Sequence, residues 1–145
     1  MALGMCSLRR LAPLLASGAV ACSGTPRLEI ERPEAKISPA LVGVGAIFMR
    51  IANAGDGADA LLGARVELPG TVTQLHAVRE GRMVESERLV VPARGALELK
   101  PGGPHIMVFR LPEDPGAACE LRLVLRFEVS GERRARVRMT GSRCG

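Results

Sequence analysis

From Leu28 onward, apolar and polar residues alternate with a period of two, and the i, i+3, i+4 spacing of amphipathic helices is nearly absent. Because successive side chains of a strand point to opposite faces of a sheet, this pattern predicts half-buried β-strands. Short strands at such spacing are typical of a β-sandwich or barrel, so we predict an all-β domain. The predicted strands are residues 28–31, 42–51, 60–68, 71–78, 87–91, 96–99, 105–111, 121–129 and 133–139.

The first 22 residues have the order of a targeting signal. Arg9 and Arg10 precede the apolar stretch 11–21, which ends in small residues directly before Cys22. This order predicts a lipoprotein-type signal peptide over residues 1–22, with Cys22 as the lipidated first residue of the mature chain. A Leu is usual where Ala19 stands, so ordinary signal-peptidase cleavage near residue 21 and a buried N-terminal helix remain open alternatives.

The rest of the chain predicts one domain, residues 28–145, after a short linker at 23–27. Beyond the signal, 18 basic residues (20 in the chain less Arg9 and Arg10) face 15 acidic ones, a net charge of +3. With three Phe, no Tyr and no Trp, the chain lacks the stacking surface that single-stranded nucleic acid requires, so we predict no nucleic-acid partner. We expect a monomer in the periplasm or cell envelope, held at a membrane by its lipid.

Four side chains predict a metal site. His76 and His105 are the only histidines, and Met107 follows His105 at the second position, which places both side chains on one face of a strand. The turn at residues 101–104 predicts that His105 lies near solvent at the end of its strand. Met83 lies in a polar stretch that we interpret as a loop, where no apolar periodicity gives its thioether a place in the core. Met49 and Met139, by contrast, follow apolar alternation and are predicted to be core residues.

Two imidazoles and two thioethers form a soft, neutral ligand set, which suits Cu(I) and is poorly matched to Mg²⁺ or Ca²⁺. Zinc sites usually draw on thiolate, imidazole or carboxylate ligands, so methionines argue against zinc. Neutral imidazole is the metal-binding form, and copper affinity should therefore fall as the pH drops through about 6.5.

Four segments together resemble the periplasmic copper chaperones of the PCu(A)C type. Residues 47–55 and 59–64 are similar to that family's early strand, turn and next strand, and Leu75-His76 to the strand with its first histidine. Residues 97–107, Leu-Glu-Leu-Lys-Pro-Gly-Gly-Pro-His-Ile-Met, are close to its most specific motif. The family pattern places 21 residues between the Met and the His-x-Met, as between Met83 and His105. It usually places ten between the first His and the Met, whereas six separate His76 from Met83.

The resemblance implies a cupredoxin-like antiparallel β-sandwich that binds one Cu(I) through two His and two Met. It further implies that the chain carries copper toward an acceptor, such as the CuA subunit of cytochrome c oxidase or another copper chaperone, or serves copper homeostasis. The implied ligands are His76, Met83, His105 and Met107.

Other function classes fit these residues less well. The chain has no Gly-x-Ser-x-Gly elbow, phosphate-binding loop or His-Glu-x-x-His helix, so we predict that it is not an enzyme. Glu85 and Glu87 are interpreted as a solvated pair. A blue-copper electron carrier would need a Cys in the copper strand, which His105-Ile106-Met107 lacks. The remaining alternative is a structural or interaction lipoprotein with the same sandwich and no tight metal binding.

Cys119 and Cys144 are predicted to form a disulfide. If Ser130-Gly131 is the centre of the last hairpin, the numbers of paired residues sum to about 261, which places Cys119 opposite position 142. Cys144 is then two residues away, and export supplies an oxidising compartment. A free thiol pair that relays copper is the alternative.

Overall fold

The computed structural model describes residues 24–113, 119–141 and 144, and within them every regular element is a strand. The predicted signal peptide and lipidation site, residues 1–22, lie outside the described residues. No described segment forms a helix long and apolar enough to cross a membrane. The strands are β1 (Leu28–Ile37), β2 (Gly45–Asn53), β3 (Asp59–Val66), β4 (Val72–Arg79), β5 (Arg82–Glu85), β6 (Leu89–Val91), β7 (Gly95–Leu99), β8 (His105–Phe109), β9 (Glu120–Phe127) and β10 (Gly131–Thr140).

The strands form a sandwich, which confirms the predicted fold class. Along one hydrogen-bonded path they follow the order β5-β4-β8-β2-β1-β10-β9-β3-β6, and β7 pairs with β2 beside β8. The path doubles back between β1 and β10, so β5, β4, β8, β7, β2 and β1 form one layer and β10, β9, β3 and β6 form the other. Pairing is antiparallel except between β1 and β10, which run parallel. A register shift between Glu31 and Glu34 interrupts the pairing of β1 with β2, and the residues that follow it also pair with β10.

The core lies between the layers and follows the alternation of the sequence. Ile47 and Ile51 of β2 belong to the same buried cluster as Leu121, Leu123 and Leu125 of β9. Met49 and Met139 are also buried there, at 3% and 1% exposure, as predicted. Among the described residues, every strand and the whole buried cluster lie between residues 28 and 140, and the Cys119–Cys144 disulfide and the segment from Gly24 add contacts at the two ends.

The hairpin between β4 and β5 corrects the prediction that residues 79–87 form a loop. Arg79 and Arg82 are paired across a two-residue turn, Glu80-Gly81, in which φ is 51° and 74°. Two successive positive φ angles define a type I′ turn, whose twist matches that of the flanking strands and which favours Gly at its second position. The tight turn places Met83 on strand β5 and accounts for the short spacing between His76 and Met83.

The last hairpin has a different register from the one predicted. Phe127 pairs with Gly131, so three residues form the loop and paired numbers sum to 258 rather than 261. Cys119 therefore lies opposite Met139, whose N–H donates to the Cys119 carbonyl at 2.8 Å.

A disulfide nevertheless joins Cys119 to Cys144 in the structure, with a Cα–Cα distance of 5.5 Å. The chain turns after β10 at Gly141, where φ is 99°, and the Cys144 N–H donates to the Gly141 carbonyl at 3.1 Å. This turn, and not strand pairing, brings the two cysteines together.

The segment predicted as a linker packs against the domain from Gly24 onward. The Thr25 N–H donates to Asp56 Oδ1 and the Arg27 N–H to Asn53 Oδ1, each at 3.0 Å. A Cβ at Gly55 would overlap the carbonyl of Thr25, so glycine is required for this close approach. The N-terminal segment is therefore fixed at the turn between β2 and β3.

A buried carboxylate anchors the loop of the last hairpin. Asp59, 3% exposed, accepts hydrogen bonds from the N–H groups of Ala60 and Val129 at 2.8 Å and of Ser130 at 3.0 Å. Burial alone would raise the pKa of Asp59, but the hydrogen bonds from Ser130, Val129 and Ala60 lower it below the ordinary value.

Replacing this carboxylate is expected to destabilise the fold in a pH-dependent way. Because the folded-state pKa is lowered, Asp59 contributes stability above its unfolded pKa of about 3.9, and this contribution is lost as the pH falls through the folded value. Asp59→Asn should therefore cost about 1–3 kcal/mol at neutral pH, and the cost should shrink below about pH 4. Thermal unfolding from pH 3 to 7 measures both, with the exposed Glu29→Gln as control. A cost that did not depend on pH would contradict this role.

Candidate metal centre

The two histidines are directly opposite each other on neighbouring strands. His76 of β4 pairs with His105 of β8, and their ring centroids lie 5.2 Å apart in an edge-to-face arrangement. Residues directly opposite on a sheet share a face, so both imidazoles lie on the outer face of their layer. Sequence spacing alone could not establish this pairing, because 28 residues separate the two positions.

Both methionines lie on the same face as the histidines. Met107 is opposite Gln74 and Met83 is opposite Val78, so each is a diagonal neighbour of His76, on opposite sides of it. Diagonal neighbours have Cα atoms roughly 7–8 Å apart, which long side chains can span.

The register thus brings His76, His105 and Met107 together, whereas Met83 adjoins only His76. Met83 is two strands from Met107, on the edge strand β5, and 45% of it is exposed. Its place in a common site depends on the reach of its own flexible side chain.

A turn orients His105. Its Nδ1 lies 2.9 Å from the Gly103 carbonyl, and since a carbonyl can only accept, Nδ1 is the donor. The Lys100 N–H donates to the Pro104 carbonyl at 2.9 Å and the Gly103 N–H to the Lys100 carbonyl at 3.0 Å. The hydrogen bond fixes the tautomer and leaves Nε2 with its lone pair, which is how proteins commonly orient a metal-binding histidine. The sequence indicates the turn but not the role of the Gly103 carbonyl.

His105 is more buried than its position at the start of a strand predicted. It is only 8% exposed, because the His76 ring and the Phe48 ring, whose centroid lies 6.1 Å away, pack against it. His76 and Met107 are partly exposed. A metal would therefore approach from the side of these two residues.

The electrostatics around His76 favour its neutral imidazole. Burial lowers the pKa of His76 below its ordinary value, the nearby His105 lowers it further, and Glu85 partly offsets both effects. Glu85 acts because it is directly opposite His76 on β5, and it is exposed, in agreement with its interpretation as part of a solvated pair. Neutral imidazole is the form that carries a lone pair for a metal.

The lowered pKa shifts the expected pH dependence of copper binding. Protons compete with Cu(I) for the imidazole only near and below the pKa of the folded state, so affinity should stay level down to about pH 6.5, the ordinary histidine value, and fall only at lower pH. Competition titrations from pH 5 to 8 measure this, with circular dichroism of the metal-free protein as the control for folding. An inflection at or above about pH 6.5 would contradict the lowered pKa of His76.

The donor set distinguishes between classes of metal. Within the described ranges no three His, Cys, Asp or Glu side chains are grouped to hold a metal ion. The histidine pair is adjoined instead by thioether sulfur, and imidazole with thioether suits Cu(I) better than hard cations.

The sequence profile of the family described as "Putative lipoprotein LpqE-like" matches residues 28–139, which is most of the chain. The chain belongs to the LpqE-like family. No curated protein matches it significantly.

Solved structures share the fold of this LpqE-like chain. The apo PCuAC domain from PmoF1 has a TM-score of 0.69 at 22% identity, covering 79% of this chain and 94% of that one. The copper-bound PCuAC domain from PmoF2 has a TM-score of 0.67 at 18% identity, covering 79% and 93%. The solution structure of CuI-DR1885 from Deinococcus radiodurans has a TM-score of 0.62 at 21% identity, covering 84% and 83%. The resemblance of the LpqE-like chain to the PCu(A)C type is confirmed.

Proposed function

We propose that this LpqE-like chain binds one Cu(I) on the outer face of the β4–β8 pair. The observation that carries the proposal is the direct pairing of His76 with His105, 5.2 Å between ring centroids, with Met107 on the same face. Met83 is the fourth proposed ligand. The copper-bound state of the PmoF2 domain and the CuI state of DR1885, both with this fold, support copper as the cargo.

The proposed role is that of a non-enzymatic copper chaperone. Thioether ligands have no proton to lose and form no disulfide, so a His and Met set can hold Cu(I) in an oxidising compartment and release it by ligand exchange. The ligands lie on a sheet face that an acceptor can approach. We propose as acceptor a protein such as the CuA subunit of cytochrome c oxidase or another copper chaperone, in oxidase assembly or copper homeostasis.

The proposed location is the periplasm or cell envelope, with a monomeric chain anchored by lipid at Cys22. The lipoprotein description of the family supports the anchor. The sequence of charged, apolar and small residues before Cys22 supports it independently. A Cys22→Ser form should be released from washed membranes by high salt.

Anaerobic titration of Cu(I) against a chromophoric chelator tests the function. We expect one Cu(I) per chain to be withdrawn from the chelator, and no comparable binding of Zn²⁺ or Mg²⁺. Failure to compete for Cu(I) would favour the structural or interaction lipoprotein that shares this sandwich.

A further inference from the structure

The outer face of the second layer carries a group of arginines far from the proposed copper site. We call it the arginine face and define it by Arg65 of β3, Arg122 of β9, and Arg134 and Arg136 of β10, all of which are exposed. The residues next to them in sequence, such as Leu123 after Arg122 and Val137 after Arg136, point into the core. The four guanidinium groups therefore share one side of the sheet, opposite to the side that packs on β2 and β8.

Strand pairing concentrates this charge. Arg122 is directly opposite Arg136, and like charges at opposed positions destabilise a sheet. Arg136 reaches Glu120 only at 3.8 Å, and the other three arginines form no ion pair with any described residue. The opposed pair of Arg122 and Arg136 thus costs the fold stability, and an anionic partner would offset that cost.

An apolar residue lies beneath the arginines. Val124 is 3% exposed yet does not belong to the core cluster, because it points to the outer face. The residues directly opposite it are Arg134 on one side and Arg65 on the other, so their aliphatic stems are placed to cover it. Arginines that lie over an apolar residue keep their charged ends in solvent, where an anion can meet them.

The face also contains a groove of about 390 Å³, which Arg122, Arg134 and Arg136 line together with Glu67. Three guanidinium groups against one carboxylate leave it positive. Arginine binds phosphate groups through two parallel hydrogen bonds, so the groove suits a phosphate-bearing headgroup.

We propose that the arginine face docks on an anionic phospholipid membrane. The lipid anchor proposed above would hold the domain beside such a surface. The chain enters the domain at Gly24, next to Asp56. Asp56 lies in the turn that leads into β3, and β3 belongs to the layer that carries the arginine face. Docked in this way, the protein would direct the face with His76 and His105 away from the membrane, toward an acceptor.

Vesicle sedimentation of residues 23–145, which lack the signal and the lipid, tests this docking. We expect binding to vesicles of equal parts phosphatidylglycerol and phosphatidylcholine, weak binding to phosphatidylcholine alone, and a steep loss with salt. Arg122→Gln with Arg136→Gln should weaken binding about 25-fold, roughly fivefold for each arginine. Equal binding to both kinds of vesicle would overturn the proposal.

Two controls separate position from net charge. Arg79 and Arg82 are also exposed and directly opposite, but on the β4–β5 hairpin of the other layer, so changing both to Gln should weaken binding less than about threefold. Changing Arg122 and Arg136 to Lys keeps the charge and should keep most of the binding. Equal losses in the two glutamine pairs would contradict the proposal, as would binding to polyglutamate without binding to the anionic vesicles, which would indicate an acidic protein partner. None of these results depends on copper binding.

Discussion

Replacing His105 by Ala is expected to lower Cu(I) affinity by more than about 100-fold. Residues that only hydrogen-bond to a metal ligand typically contribute about 10–100-fold, and a ligand itself should contribute more. The reason is that the site has only two imidazoles, and the hydrogen bond from Nδ1 to the Gly103 carbonyl already directs Nε2 of His105 to the metal. His76→Ala should have a similar effect, because His76 is the one residue that adjoins the other three proposed ligands. Chelator competition measures each affinity.

The matched control is Val72→Ala, which lies on the same strand and face as His76, is 41% exposed and offers no donor atom. Met107→Ala should approach the histidine variants, and Met83→Ala should weaken binding less, because Met83 adjoins only His76 on an exposed edge strand. Affinity within about threefold of wild type in the His105→Ala, Met107→Ala double variant would refute the site.

Removing the disulfide is expected to lower the free energy of unfolding by about 3–4 kcal/mol, because the bridge closes a loop of 25 residues in the unfolded chain. Copper affinity should remain unchanged, since Cys119 and Cys144 adjoin the β9–β10 layer rather than the face with His76 and His105. Denaturant unfolding of the Cys119→Ser, Cys144→Ser variant measures the loss.

Thiol counting on unreduced residues 23–145 accompanies that measurement, because this chain omits Cys22. No reactive thiol is expected in the folded protein. Two reactive thiols would contradict the disulfide and favour the alternative of a thiol pair that relays copper.

Local pattern was sufficient to predict most of the fold. Alternation located nine of the ten strands, and the face shared by His105 and Met107 follows from their spacing alone. Strand β5 escaped prediction because its four residues are exposed or partly exposed on both sides, so burial imposes no alternation on them. The one local indication of the β4–β5 hairpin was the pair Glu80-Gly81, which is compatible with a type I′ turn.

Features that depend on distant contacts could not be read from the sequence. The register of the last hairpin depends on a three-residue loop, which the buried Asp59 stabilises from a strand some 70 residues earlier in the chain. The burial of His105 likewise depends on Phe48 and His76, which belong to two other strands. The parallel pairing of β1 with β10 joins the two ends of the domain, and no local pattern predicts it.

X-ray absorption at the copper edge of the Cu(I)-loaded chain tests the central claim most directly. The His and Met site predicts both nitrogen and sulfur scatterers in the first coordination shell, with the nitrogen contribution reduced in His76→Ala and the sulfur contribution reduced in Met107→Ala. A first shell of nitrogen and oxygen alone, or a sulfur contribution unchanged in the Met107→Ala, Met83→Ala double variant, would contradict it.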